Sequence, residues 1–247
     1  ARRKSLAFLD VGQGDCFVAD TKSGAIIFDG GSSSEDQVGR YRILPYMKYL
    51  GYQKIQIAVI SHMDIDHYSG IKELLEMGKI KYLGLPEIPK DETMKKIIGI
   101  AKKRGTTIFY LSRGRQITTK DGSLKVLHPQ KNSQMEKNAA SLVMQGKILG
   151  YRVLLTGDVE KEGEEELLSE ELERADILKA AHHGSKNSTS NEFLQKVQPK
   201  QTVISCGKQN RYGHPHLETI HRLQTYRTKI YRTDRSGAII FFKRRDG

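Results

Sequence analysis

The segment Ser61-His62-Met63-Asp64-Ile65-Asp66-His67 stands directly behind the apolar run 55–60. The run is short, interrupted only by Gln56 and rich in isoleucine, so it reads as a buried strand. A loop leaving the end of such a strand can aim several side chains into one cavity while the strand fixes their positions. Two imidazoles and two carboxylates within six residues suit the inner shell of a divalent metal ion. A solvated polar turn is the ordinary alternative, but such a turn has no reason to follow an apolar strand so closely.

The rest of the chain frames this loop. Short apolar or alternating runs at 5–10, 15–20 and 25–29, punctuated by Gly12, Gly14, Gly24, Gly30 and Gly31, read as an antiparallel meander. A helical pattern at 35–49 contains Pro45 as a kink or break. Helices are expected at 68–77, 93–104, 161–168, 191–197 and 217–226. In the second of these, Ile97, Ile98, Ile100 and Ala101 keep the 3.6-residue period. Strands are expected at 55–61, 82–85, 106–110, 117–119, 124–128, 141–145, 152–156, 177–181, 202–205, 229–232 and 238–243. No repeat or low-complexity linker interrupts them, so residues 1–247 read as one domain. Strand-dense halves with helices between them fit an α/β fold, two sheets face to face with helices outside, a four-layer αββα sandwich.

A chain of 247 residues can bury a full core without disulfides, and its regular apolar runs exclude disorder. Cys16 and Cys206 form no CxxC pair and lie in strand-like surroundings, so they read as buried free thiols. No stretch approaches the roughly 18 to 20 apolar residues of a membrane span, and no secretory leader stands at the start. The abrupt beginning at Ala1 suits the soluble part of a larger membrane protein. The net charge of +12 favours a polyanionic partner: nucleic acid, an anionic membrane surface or a cell-wall polymer. Its clusters are Arg2-Arg3-Lys4, Lys95-Lys96, Lys102-Lys103-Arg104, Arg113 with Arg115, and Lys243-Arg244-Arg245. Each alone reads as a solvated helix face or chain end, but the excess is spread along the whole chain. Tyr41, Tyr46, Tyr49 and Tyr52 read as amphipathic core, with base stacking as the alternative. With no P-loop and no GxGxxG of consequence, a nucleotide cofactor is not expected.

Three further segments complete a pattern with the metal loop: Phe28-Asp29-Gly30-Gly31, Leu155-Thr156-Gly157-Asp158 and Ala181-His182-His183-Gly184-Ser185. In this order they resemble the successive motifs of the metallo-β-lactamase superfamily, with Asp64 replacing the middle His of its HxHxDH signature. The resemblance runs from about residue 6 to residue 242. Leu9-Asp10-Val11-Gly12-Gln13-Gly14-Asp15, the HxDxDH loop, Asn138-Ala139-Ala140-Ser141-Leu142-Val143 and Arg211-Tyr212-Gly213-His214-Pro215-His216 narrow it to the ComEC type. These competence proteins import transforming DNA, and their soluble C-terminal domain is regarded as a nuclease for the strand that is not imported.

The resemblance implies two divalent ions. His62 and Asp64 would hold the first, Asp66, His67 and His182 the second, with Asp158 bridging. A metal-bound hydroxide would be the nucleophile at a phosphodiester. Asp66, His183 and His214 would take catalytic roles, and Asp29 would orient the metal loop through hydrogen bonds. Ser185, Lys186, Asn138 and His216 would contact substrate, or simply cap the elements they flank. Strand alternation argues against both His182 and His183 as ligands. His182 is taken as the ligand and His183 as the phosphate-facing group, with the reverse left open. Asp15 lies either near the site or in a turn with Asp10, and His221 reads as structural or exposed. The family's third-motif His has no match, and His128 reads as structural. A first site poor in nitrogen shifts preference toward Mn²⁺, with Zn²⁺ or Mg²⁺ able to bind.

The expectation is a sequence-independent, metal-dependent DNA nuclease. Its basic clusters would hold the phosphate backbone, so binding should fall steeply with salt. It would work on the extracytoplasmic side of the cell membrane, beside the channel portion of the same polypeptide. One alternative is a stand-alone phosphodiesterase acting on a choline-phosphate or teichoic-acid ester. Another is a non-catalytic DNA-binding module, for which the missing third-motif His is the best argument. A β-lactamase has only the fold in its favour.

Overall fold

Alternation of apolar side chains sorts the strands into two sheets. The computed structural model describes residues 2–135, 137–170 and 172–244, Lys137 by its backbone alone. Ala1 and Arg245, which the sequence puts at the two chain ends, lie outside these residues. The first sheet contains β1 (Ser5–Phe8), β2 (Phe17–Thr21), β3 (Gly24–Phe28), β4 (Ile55–Val59), β5 (Ile80–Pro86) and β6 (Thr107–Leu111). The second contains β7 (Gln116–Thr119), β8 (Gly122–His128), β9 (Val143–Ile148), β10 (Tyr151–Leu155), β11 (Ile177–Lys179), β12 (Gln201–Ile204) and β13 (Lys229–Arg232). Strand β14 (Ile239–Phe242) returns to the first sheet beside β1, giving the order β14-β1-β2-β3-β4-β5-β6. The second runs β13-β12-β11-β10-β9-β8-β7. In each sheet one half is antiparallel and the other parallel.

Helices α1 (Leu44–Tyr49), α2 (Ile65–Glu76) and α3 (Glu92–Lys103) connect the parallel strands β3 to β6. Helices α4 (Lys161–Leu168), α5 (Asn191–Val197) and α6 (Leu217–Thr225) connect β10 to β13. Period-two alternation then builds three apolar layers. Ala7, Val18 and Ile27 face Met47, Ile71, Leu74 and Ile97 of the first helical layer. Their neighbours Leu6, Phe8, Phe17 and Phe28 face Val126, Met144, Val153 and Ile177 between the sheets. Leu154 and Leu178 face Leu167, Phe193, Val197 and Leu223 of the second helical layer. The expected αββα sandwich is what forms, and Cys16 and Cys206 are free and buried in it.

Some expectations change. The 35–49 helix is a wide π turn, Gly39–Ile43, followed by α1. Pro45 lies in the first turn of α1, where its missing N–H costs nothing, so it starts the helix and does not break it. The tyrosine cluster is not core throughout: Tyr41 and Tyr49 are 64% and 72% exposed. Helix α2 begins at Ile65, so the metal loop supplies its first turn.

Strand β1 is antiparallel to β2, which is antiparallel to β3, so β1 starts at the sheet end opposite the loops that follow β3 and β4. At that remote end Arg2 and Lys4 both pair with Asp20, at 2.7 and 2.8 Å, and Lys243 pairs with Asp121. Arg113 is likewise held by Glu166 and Glu170. These cations are therefore committed to ion pairs, and Arg2, Lys4 and Lys243 lie far from those loops. No helix among the described residues is long and apolar enough to cross a membrane.

Candidate metal centre

Parallel strands deliver their following loops to one edge of a sheet. Here that edge receives Asp29 after β3, the 61–67 loop after β4, Asp158 after β10, the 181–184 turn after β11 and Ser205 after β12. Glycines let the loops touch. A Cβ on Gly31 would come within 2.5 Å of the Ile65 carbonyl oxygen, and one on Gly14 would collide with the Gly31 backbone. With hydrogen in those places, the Asp15 N–H reaches the Asp66 carbonyl (3.0 Å) and the Gly30 N–H the His67 carbonyl (2.8 Å).

Asp29 organises the metal loop. It is fully buried, with a positive φ of 58° that Asp tolerates better than most residues. Its Oδ1 accepts the Ser61 N–H at 2.7 Å, and its Oδ2 accepts the Ser61 hydroxyl at 2.7 Å and His67 Nδ1 at 2.9 Å. Because the Ser61 hydroxyl proton goes to Asp29, His62 Nδ1 donates to Ser61 Oγ at 3.0 Å. On the opposite sheet His183 Nδ1 donates to the Ser205 carbonyl at 2.9 Å. Three imidazoles are thus fixed through Nδ1 with Nε2 turned inward.

These inward atoms meet carboxylates. His67 Nε2 lies 3.1 Å from Asp158 Oδ2, and His183 Nε2 lies 3.3 Å from Asp66 Oδ2 and 3.4 Å from Asp158 Oδ2. His62 Nε2 lies 3.6 Å from Asp64 Oδ2. Asp64 occupies the N-cap position of α2 without making a capping bond. The Nε2 atoms of His62, His67 and His183 and Oδ1 of Asp158 are buried with no hydrogen-bond partner among the described residues. Buried polar atoms are normally satisfied. Oriented imidazoles converging with carboxylates on one point form the donor set of a divalent-cation site. Donor atoms of His62, His67 and Asp158, and of Asp66, His67 and His183, lie within 4.8 Å of one another.

The electrostatics agree. Burial pushes the His67 and His183 imidazoles down, but Asp158 with Asp29 or Asp15 outweighs it and holds both well above the usual histidine range. Burial likewise pushes Asp158 up, and the two histidines carry it well below the carboxylate range. A cation at the cluster would replace these protons.

The turn after β11 differs from the strand-alternation argument. His182 and His183 both have left-handed φ, 49° and 53°, so both rings face the site edge. His183 is buried in the cluster. His182 is partly exposed at the rim, its Nδ1 2.8 Å from Glu160 Oε1 and its Nε2 3.8 Å from Asp158 Oδ2. His214 stacks between His183 and Tyr212 at centroid distances of 6.1 and 5.7 Å. Burial, then its histidine neighbours, push it down to about 4, so it is a neutral imidazole at pH 7.

The remaining residues divide. Asn138 lines a groove of about 930 Å³ with Asp64, Gln134 and Glu160. Lys186 is exposed, while its backbone N–H donates to His216 Nδ1 at 3.1 Å. Ser185 is buried inside the turn. Asp10 closes its own turn onto the Gly12 N–H, and His221 is exposed. Asp15 is buried behind the cluster beside Lys179, a residue the sequence reading missed. The signal for it was a lone charge within the apolar run 177–181.

His128 is buried outside the cluster, its Nε2 donating to the Ala139 carbonyl at 2.7 Å. Burial, partly countered by that bond and by Glu166, pushes it below the usual histidine range. A group depressed in the folded state stabilises above its unfolded value of about 6.5 and loses that contribution as pH falls. In urea melts, the advantage of wild type over His128→Gln is expected to narrow between pH 7 and pH 5.

The Metallo-beta-lactamase superfamily model matches residues 9–208. The chain is 37% identical to ComE operon protein 3 of Bacillus subtilis, covering 97% of this chain and 33% of that protein. It is 30% identical to competence protein ComA of Neisseria gonorrhoeae, covering 96% and 32%. The chain thus spans about a third of the length of these curated relatives. Among solved structures, the metallo-beta-lactamase fold protein YhfI from Bacillus subtilis superposes with a TM-score of 0.63 at 13% identity, covering 96% of this chain and 99% of that one. Human tRNase Z, short form, gives 0.55 at 13%, covering 97% and 100%. At such identity these two structures speak for the fold alone.

Proposed function

The chain belongs to the metallo-β-lactamase superfamily, and from that premise we propose that it is a metal-dependent deoxyribonuclease acting on the strand that is not imported during natural transformation. It has a metal-binding hydrolase fold and is related to competence proteins. The observation that carries the reading is the set of buried, inward-turned Nε2 atoms converging with Asp66 and Asp158.

Two divalent ions fit these donors. His62 and Asp64 would hold one, Asp66, His67 and His183 would hold the other, and Asp158 would serve both. This exchanges the roles of His182 and His183 expected from sequence, because His183 has the buried free donor. When bound, such ions supply Lewis acidity and a water of lowered pKa. With three imidazoles against three carboxylates, and a first position that has His62 as its one nitrogen donor, the centre favours Mn²⁺.

The chain's own residues do the rest. His214, neutral at pH 7, donates a hydrogen bond to a phosphate oxygen. Lys186 supplies backbone-directed charge, and Asn138 and His216 line the approach. His182, oriented by Glu160 at 2.8 Å, gives its Nε2 proton to the departing sugar oxygen. His182→Ala is expected to lower kcat on DNA about 100-fold. On bis-p-nitrophenyl phosphate, whose leaving group needs no proton, it should lower kcat only slightly. Comparable losses on both substrates would deny His182 this role.

In this reading the domain works beside the membrane channel portion of a longer polypeptide, on its outer side; the relatives, of which the chain spans about a third, have length enough for such a portion. The test uses chain freed of metal by EDTA and restored with Mn²⁺, Mg²⁺ or Zn²⁺. Cleavage of labelled single- and double-stranded DNA is measured beside p-nitrophenylphosphorylcholine. Mn²⁺-restored DNA cleavage is expected. Hydrolysis of the choline ester alone would replace the reading with the small-ester phosphodiesterase. DNA binding without cleavage would replace it with the binding module.

A further inference from the structure

Lys179 is the single Lys or Arg buried among the described residues, and it stands behind the cluster. Period two along β11 puts it on the inter-sheet side with Ile177, at the end nearest the site. Its ammonium contacts Asp15 Oδ2, lies 3.4 Å from the Gly157 carbonyl and lies 4.0 Å from Asp158 Oδ1. Asp15 in turn sits behind two inward-turned imidazoles, Oδ1 3.4 Å from His183 Nδ1 and Oδ2 3.8 Å from His67 Nδ1. A buried ion pair seldom adds net stability over well-packed apolar residues. The sheet interface had apolar residues available, so the position of this pair calls for another reason.

We propose that Lys179 is a fixed internal cation of the metal centre, and that with Asp15 it sets how tightly the cluster holds divalent ions. The inference rests on the metal-centre reading above. The carboxylates of Asp15, Asp29, Asp64, Asp66 and Asp158 crowd one small volume. The ammonium beside Asp158 offsets part of that charge without occupying a metal position. Its removal leaves a more negative site, and removal of Asp15 alone leaves a more positive one. At these separations and under limited screening, a unit charge changes divalent affinity by at least about tenfold.

The test is Mn²⁺ affinity, measured by competition with a fluorescent chelator, with folding checked by circular dichroism. Lys179→Met is expected to bind Mn²⁺ at least tenfold more tightly than wild type, and Asp15→Asn at least tenfold more weakly. The double variant, with no buried charge left unpaired, is expected within threefold of wild type. Simple structural damage weakens both single variants, so the opposite signs are diagnostic. If Lys179→Met does not fold, Lys179→Gln replaces it, with the same expectation. Shifts of the same sign, or shifts under threefold in either variant, overturn the proposal. Wild type that binds no Mn²⁺ overturns the metal-centre reading itself, and this inference with it.

Discussion

Asp158→Ala is expected to lower metal-dependent DNA cleavage by about four orders of magnitude, on the order of 5 kcal/mol of transition-state stabilisation. Asp158 Oδ2 lies within 3.8 Å of the Nε2 atoms of His67, His182 and His183, and Lys179 reaches its Oδ1. No other carboxylate among the described residues touches as many site groups. Its loss removes the ligand proposed to serve both ions and leaves the histidines without their principal counter-charge. The measurement is kcat on labelled DNA with saturating Mn²⁺, with the melting temperature followed in parallel. A loss of less than tenfold in folded protein would deny Asp158 the shared position.

Asp29→Ala is expected to cost about 4 kcal/mol of stability in urea unfolding, and about 10- to 100-fold in Mn²⁺ affinity. The substitution strands the buried Ser61 N–H, the Ser61 hydroxyl and His67 Nδ1 together. Each orphaned polar group costs roughly 1 to 3 kcal/mol, and Ala tolerates the positive φ poorly. Asp29→Asn keeps one acceptor and accepts the backbone conformation, so it should lose markedly less stability. Affinity should nonetheless fall, because His67 loses its anionic partner. Equal stability losses in the two variants would mean that the hydrogen bonds to Asp29 do not hold the loop.

The fold was largely legible because period and length state it plainly. Helices α4 and α5 and strand β13 begin and end where the apolar pattern does. Helix α2 was read three residues short because Asp66 and His67 interrupt its apolar period at the N-terminus, where chemistry and not packing chose the residues. The exposure of Tyr41 and Tyr49 was misread because composition does not tell which side of a helix lacks a covering element.

Within the site, the metal loop and the following segments were visible as residue types. Their roles were not fully visible. The choice of His182 over His183 rests on strand alternation, a premise that does not apply where two consecutive residues adopt left-handed φ, so the assignment passes to the burial of His183 as a proposal. Asp15 was caught between turn and site because Gly12 and Gly14 explain a turn equally well. Lys179 was missed because one Lys in a strand suggests an edge position. Only the sheet order, with β11 between β10 and β12, shows that this strand is interior. The basic clusters are expected to hold the phosphate backbone, yet the pairs at Asp20 and Asp121 place Arg2, Lys4 and Lys243 at the other end of the sandwich.

The central claim is that this edge of the sandwich is a metal centre built by His62, Asp64, Asp66, His67, Asp158 and His183. Crystals grown with Mn²⁺, measured at the manganese absorption edge, test it directly. The account predicts one anomalous peak among Asp66, His67, His183 and Asp158, and a second, weaker one beside His62, Asp64 and Asp158. No peak within the cluster, or a peak held by His182 with His183 uninvolved, would contradict it.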